Sequence, residues 1–130
     1  MNIEVHVLFK FANNPYGGVE IDTTASSGKA SQEALTKFTP DIIILDAHMP
    51  HMSGPELCRI LRTGYTTRDI PIIFVTGDER AVMITQCLSS GGSDIVHKPM
   101  MRALFQHRVR TQLTLKHLMD EAKVRKLKET

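Results

Sequence analysis

Residues 42–54 read Ile42-Ile43-Ile44-Leu45-Asp46-Ala47-His48-Met49-Pro50-His51-Met52-Ser53-Gly54, with Pro55 next. Four consecutive aliphatic residues suit a strand buried on both faces of a parallel sheet, where neither face alternates with polar side chains. The carboxylate that closes such a strand emerges at the carboxyl edge of the sheet, where open α/β folds place their chemistry. A lone Asp at a strand end often does no more than shape the following turn. Asp46 has company, because two later apolar runs also end in polar residues. Pro71-Ile72-Ile73-Phe74-Val75 leads into Thr76-Gly77-Asp78, and Ser93-Asp94-Ile95-Val96-His97 leads into Lys98-Pro99.

If these strands are parallel neighbours, Asp46, Thr76 and Lys98 share one edge. A carboxylate nucleophile, a hydroxyl to bind a phosphoryl oxygen and an ammonium to offset developing charge are the groups that acyl-phosphate formation needs. With these residues in view, the chain from about Val19 onward resembles the receiver domain of two-component response regulators. The matching motifs are Asp46 with Met49-Pro50, Met52 and Gly54, then Val75-Thr76-Gly77, then Lys98-Pro99. The resemblance implies an α/β, flavodoxin-like, mostly parallel five-stranded sheet flanked by helices. It implies that Asp46 accepts a phosphoryl group from a histidine kinase or phosphotransfer protein, that Thr76 senses it and that Lys98 contacts it. It also implies Mg²⁺, for which Asp46 and the backbone carbonyl of His48 are the expected ligands.

The chain departs from that pattern near its start. Receivers carry an acidic pair after the first strand, whereas here no Asp or Glu occurs between Phe9 and Glu20. Those carboxylates help hold the ion, so Mg²⁺ binding is placed in doubt. Residues 3–9 and 19–24 suit strands, but Asn14-Pro15-Tyr16-Gly17-Gly18 between them suits a turn and not a helix. A parallel crossover usually needs about a dozen residues or more. Either an antiparallel hairpin forms, or the first strand pairs elsewhere, and both leave apolar sheet surface uncovered, which favours a homodimer, strand exchange or a partner helix. The position three before Lys98, often aromatic in receivers, is Ile95.

Helices are expected over 28–38, after Gly54-Pro55 with Leu57, Ile60 and Leu61 inward, and from Asp78, as its cap, to Gly91-Gly92 with Val82, Met83, Ile84 and Leu88. The segment from Met101 to about Leu127 lacks Gly and Pro and would extend ~40 Å as one helix. Leu104, Phe105, Val109 and Leu113 can cover the sheet. Leu115, Leu118, Met119 and Ala122 lie beyond it, on a dimer contact, a linker to an output domain or a solvated tail. Residues 1–115 are therefore read as a receiver-like domain and 116–130 as a basic helical extension.

The formal charge of +2 is uneven: residues 1–101 hold eight Lys or Arg against eleven Asp or Glu, and 102–130 hold eight against three. No recognition motif accompanies the basic tail, so a solvated helix face is the plainer reading than nucleic-acid binding. No apolar run approaches the ~20 residues a membrane span needs, no secretory pattern opens the chain, and Cys58 and Cys87 suit packing in a reducing compartment. A cytoplasmic location is expected, with no membrane partner. Three other groupings carry less weight. His48 and His51 beside Asp46 imitate a transition-metal site, His97 is an acid-base candidate beside Lys98, and Ser26-Ser27-Gly28-Lys29 suits a helix start better than a phosphate loop. Two functions compete: a phosphorylatable receiver, not a turnover enzyme, and a pseudo-receiver that binds or dimerises without phosphorylation. An enzyme of another α/β fold, using Asp46 as a covalent nucleophile, lacks the second acid such chemistry uses.

Overall fold

The computed structural model describes residues 7–10, 23–25, 27–37 and 39–129. In chain order the elements are β1 (Val7–Lys10), β2 (Thr23–Ala25), α1 (Gly28–Leu35), β3 (Ile42–Asp46), α2 (Gly54–Thr63), β4 (Ile72–Thr76), α3 (Ala81–Ser89), β5 (Asp94–His97) and α4 (Arg102–Lys128). The strands form one sheet in the order β2-β1-β3-β4-β5. Strands β3, β4 and β5 are parallel, with Asp46 opposite Val75 and Thr76 opposite His97.

β1 runs against both its neighbours, pairing Val7 with Ala25 on β2 and Val7 with Leu45 on β3. The hairpin alternative is therefore the one adopted, and β1 is also the strand that joins it to the parallel half. Residues 3–6 and 19–22 of the expected strands, and the turn between them, lie outside the described residues. Since β2 opposes β1, it points the same way as β3, β4 and β5, so the sheet remains mostly parallel.

The aliphatic run of β3 is buried on both sides, as its lack of alternation requires. Ile43 and Leu45, with Ile72 and Phe74, face α2 and α3 and are fully buried; Ala30, Ala34 and Leu35 of α1 pack against the same cluster. Ile42, Ile44, Ile73, Val75 and Val96 face Val109, Phe105 and Leu113 of α4. Each fully buried side chain of this size contributes about 1.5–3 kcal/mol. The uncovered sheet face expected for a chain without the first receiver helix is not found on β3 or β4: Ile42 is 0% exposed and Ile44 6%.

The helices start and stop for local reasons. Ser27 caps α1 by accepting from the Ala30 N–H at 3.1 Å, and Ser53 caps α2 by accepting from the Glu56 N–H at 3.2 Å. Helix α3 starts later than expected: Asp78 accepts from the Arg80 N–H, so it closes a turn one step before the helix, and Arg80 takes the cap position without a side-chain bond. At the far end, Gly91 adopts φ +107°, a left-handed conformation open to glycine. Arg62 ties this end together, donating from Nε to the Gly91 carbonyl at 3.0 Å and from Nη1 to those of Arg68 and Ile70. Burial lowers its pKa from the ordinary arginine value.

Helix α4 is continuous over 27 residues. Its basic second half does not simply project, because Lys123 Nζ bonds Asp69 Oδ2, in the loop before β4, at 3.1 Å. That bond holds the Asp69 carboxyl below the usual carboxylate range. Among the described residues no helix is long and apolar enough to cross a membrane. Cys58 and Cys87 are both buried and free.

Candidate functional site at the carboxyl edge of the sheet

Parallel register carries the ends of β3, β4 and β5 to one edge. Asp46 closes β3, Thr76 closes β4, and Lys98 follows the last residue of β5. The three residues singled out from sequence meet there. Lys98 Nζ lies 3.7 Å from Asp46 Oδ2, and the Lys98 N–H donates to the Thr76 carbonyl at 2.8 Å. The Asp46 side chain is 18% exposed and that of Lys98 52%, so the carboxylate is recessed beneath a more accessible ammonium. Thr76 is 1% exposed, and its Oγ1 accepts from the Asp78 N–H at 3.0 Å.

The loop after β3 shapes the site from the other side. Asp46 Oδ1 accepts from the His48 N–H at 3.1 Å, a local turn that holds the carboxylate by its own chain. The loop then returns sharply: His51 adopts φ 68°, and the Gly54 N–H donates to the Ala47 carbonyl at 3.0 Å. A Cβ on Gly54 would sit 2.5 Å from the Asp46 carbonyl oxygen and 2.9 Å from Ala47 Cα. Glycine is thus what lets the start of α2 press on the strand end, bringing the positive end of that helix close to the loop that follows Asp46. Met49 and Met52 pack against the core beneath.

Sequence reasoning missed a second cluster. His48 Nε2 lies 3.5 Å from Asp78 Oδ2, and Arg80 binds the same carboxylate through Nη2 at 2.6 Å and Nε at 2.9 Å. The Arg80 side-chain bonds, aided by its backbone N–H and by His48, hold the Asp78 carboxyl far below the usual carboxylate range. Asp78 in turn raises the Arg80 pKa. The bridge links the loop after Asp46 to the loop after Thr76. The spacing of Asp78 and Arg80 was its signal, but an Asp two residues before an Arg reads equally as a helix cap.

For a divalent ion the described residues supply the Asp46 carboxylate and the expected His48 carbonyl. No three His, Cys, Asp or Glu side chains among them gather into a group that would hold a metal. His48 turns to Asp78, which does not favour the transition-metal reading of His48 and His51. The reversal of β1 adds a reason: Lys10 pairs with Ile42 at the far end of β3, so the chain leaves β1 at the edge opposite Asp46. The described residues do not by themselves make a magnesium cage.

With that geometry in hand, comparison with known proteins places it. The family model for the response regulator receiver domain matches residues 8–110. The response regulator PleD of Caulobacter vibrioides is 38% identical over 104 residues, covering 79% of this chain and 23% of the relative. The chain thus spans under a quarter of that relative's length. The receiver domain of a signal transduction histidine kinase from Syntrophus aciditrophicus is 30% identical with a TM-score of 0.64, covering 69% of this chain and 68% of that one. The receiver domain of sensor histidine kinase PA1611 from Pseudomonas aeruginosa, whose active-site cleft coordinates a magnesium ion, is 25% identical with a TM-score of 0.66, covering 71% of this chain and 75% of that one.

Proposed function

The chain belongs to the response regulator receiver family, and on that premise we propose that Asp46 accepts a phosphoryl group from a phosphohistidine of a histidine kinase or phosphotransfer protein. An Asp46 carboxylate oxygen attacks the phosphorus, the P–O bond forms as the P–N bond breaks, and the imidazole leaves with a proton. Lys98 faces the charge that develops on the phosphoryl oxygens, and the Thr76 hydroxyl donates to one of them. The observation that carries the reading is the 3.7 Å approach of Lys98 Nζ to Asp46 Oδ2 across a strand edge that also holds Thr76. The protein is a signalling module and does not turn over a substrate. Added charge on Asp46 biases β5 and its flanking helices between two states, and through them contacts with a target, an output domain or a second copy.

A magnesium ion, if bound, would neutralise phosphoryl charge, and Asp46 and the His48 carbonyl are the groups in this chain that would hold it. The incomplete donor set favours a second reading, a pseudo-receiver that binds or dimerises without phosphorylation. Incubation with acetyl phosphate across a range of Mg²⁺, followed by intact mass, separates the two. A phosphate-sized gain that disappears in Asp46→Asn supports the acceptor. No gain at any Mg²⁺ concentration supports the pseudo-receiver.

A further inference from the structure

At the edge of the sheet opposite Asp46, a groove of about 280 Å³ runs between α4 and the loops that enter β4 and β5. Ile70 and Pro71, just before β4, supply apolar lining on one side. On the other, Gln112, Leu115, Lys116 and Met119 recur at i, i+3, i+4 and i+7, so one stripe of α4 forms the wall. Packing leaves that stripe open: Leu115 is 48% exposed and Met119 54%, whereas Val109 on the same helix is sealed against the sheet. The volume falls just short of the ~300 Å³ at which small-molecule pockets begin, so it suits one or two side chains of a peptide better than a whole organic ligand.

Charge selects the partner. Arg62, Arg68 and Lys116 line the groove against one carboxylate, Asp69. That carboxylate is already engaged, by Lys123 Nζ at 3.1 Å and Arg68 Nε at 3.7 Å, while Lys116 bonds Asp120 on its own helix. Arg62 donates to the carbonyls of Gly91, Arg68 and Ile70, and among the described residues no carboxylate forms an ion pair with it. A guanidinium answered only by carbonyls leaves a positive field over an apolar surface. The Gln112 side-chain amide makes no hydrogen bond among the described residues, and the Ser93 hydroxyl accepts from the Ile72 N–H without giving its proton to a described acceptor. A second copy suits this face poorly, because a two-fold contact sets the patch against itself and its cations against their own images.

We propose that the groove docks an acidic peptide segment of a partner protein, with an apolar side chain seated between α4 and Ile70-Pro71 and flanking carboxylates on Arg62, Arg68 and Lys116. Gln112 then bonds the peptide backbone. Occupancy joins α4 to the loop before β4 beside the Lys123–Asp69 bond, and so fixes where the far half of the helix lies. The site is remote from Asp46 and stands whether or not Asp46 takes phosphate.

Titration of the full ¹⁵N-labelled chain with a capped hexapeptide, EELLEE, at up to millimolar concentration tests it. Amide shifts should centre on Ile70, Ser93, Gln112 and Met119. EEGGEE, which keeps the charge and loses the apolar anchor, should bind about 10-fold more weakly or worse. Leu115→Asp and Arg68→Glu, both at exposed positions, should each weaken EELLEE by about 10-fold or more while leaving the thermal melt in place. Shifts absent from the groove, equal titration by EEGGEE, or unchanged binding in both variants overturns the proposal. Groove resonances that move on dilution of the chain alone would overturn it in favour of a second copy, and a single-stranded oligonucleotide that reproduces the peptide's shifts would overturn it in favour of nucleic acid.

Discussion

Gly54→Ala tests how tightly the start of α2 is pressed onto the strand that ends in Asp46. The added methyl would meet the Asp46 carbonyl oxygen at 2.5 Å, Ala47 Cα at 2.9 Å and Phe74 Cε1 at 3.0 Å. Two of these are backbone atoms and the third belongs to a fully buried ring, so no flexible side chain can yield. Overpacking of this kind costs about 1–3 kcal/mol, offset in part by alanine's helix preference of up to ~1 kcal/mol. A net loss of about 1–2 kcal/mol is expected. With an unfolding entropy of roughly 2.1 cal/mol/K per residue over 130 residues, that lowers Tm by about 4–7 °C. Gly77→Ala is the control: its added Cβ meets nothing within 4 Å, and the change should stay within about 0.5 kcal/mol. Urea melts and thermal scans of the two variants beside wild type decide the matter. Equal stability of Gly54→Ala and Gly77→Ala would refute the claim that glycine is needed for this approach. Phosphorylation by acetyl phosphate should also slow in Gly54→Ala, because the clash falls on the Asp46 backbone.

Lys98→Met should leave stability within about 1 kcal/mol, since its ammonium is largely exposed, yet slow phosphate uptake roughly 100-fold or more by intact mass; unchanged uptake would contradict its role. Arg62→Met removes donors from the carbonyls of Arg68, Ile70 and Gly91, and should cost about 3–5 kcal/mol in urea unfolding; a loss under 1 kcal/mol would show that these carbonyls find other partners. The Asp78 carboxyl is depressed in the folded protein, so its stabilising contribution is complete above an unfolded pKa of about 4 and is lost as pH falls through the folded value. Asp78→Asn should therefore flatten the acid side of the stability profile, and an identical profile would exclude the Arg80 bond as its source. Burial pushes the Cys87 thiol up to about 11, so its stabilising contribution holds below about pH 9 and fades as pH rises further; alkylation at pH 8 should await unfolding, and prompt labelling of the native protein would argue against that burial.

What was legible in the sequence was what strand geometry alone determines. The run Ile42–Leu45 announced burial on both faces because no polar residue interrupts it, and parallel ends then carried Asp46, Thr76 and Lys98 to one edge. Strand direction is different. Residues 7–10 look the same whether β1 runs with or against β3, and only the pairing in three dimensions chose the latter. Helix faces were partly misread for a similar reason. Cys58 is fully buried while Ile60 is 44% exposed, and Val82 and Leu88 of α3 are exposed while Met83 is buried. A short apolar period states that a helix has an inner face, but its rotation is set by what it packs against. The bridge from His48 to Asp78 and Arg80 depends on two loop conformations, which no periodicity reports.

Helix α4 begins four residues after Lys98 and runs for 27 residues, about 40 Å, to the opposite end of the molecule and past it. A rod of that length is a lever: a tilt of about 5° at its root carries its tip roughly 3.5 Å. The Lys98 ammonium beside Asp46 and the Asp69 that holds Lys123 then act as handle and catch, so a change too small to disturb the core can be read as a displacement at the far end of the helix.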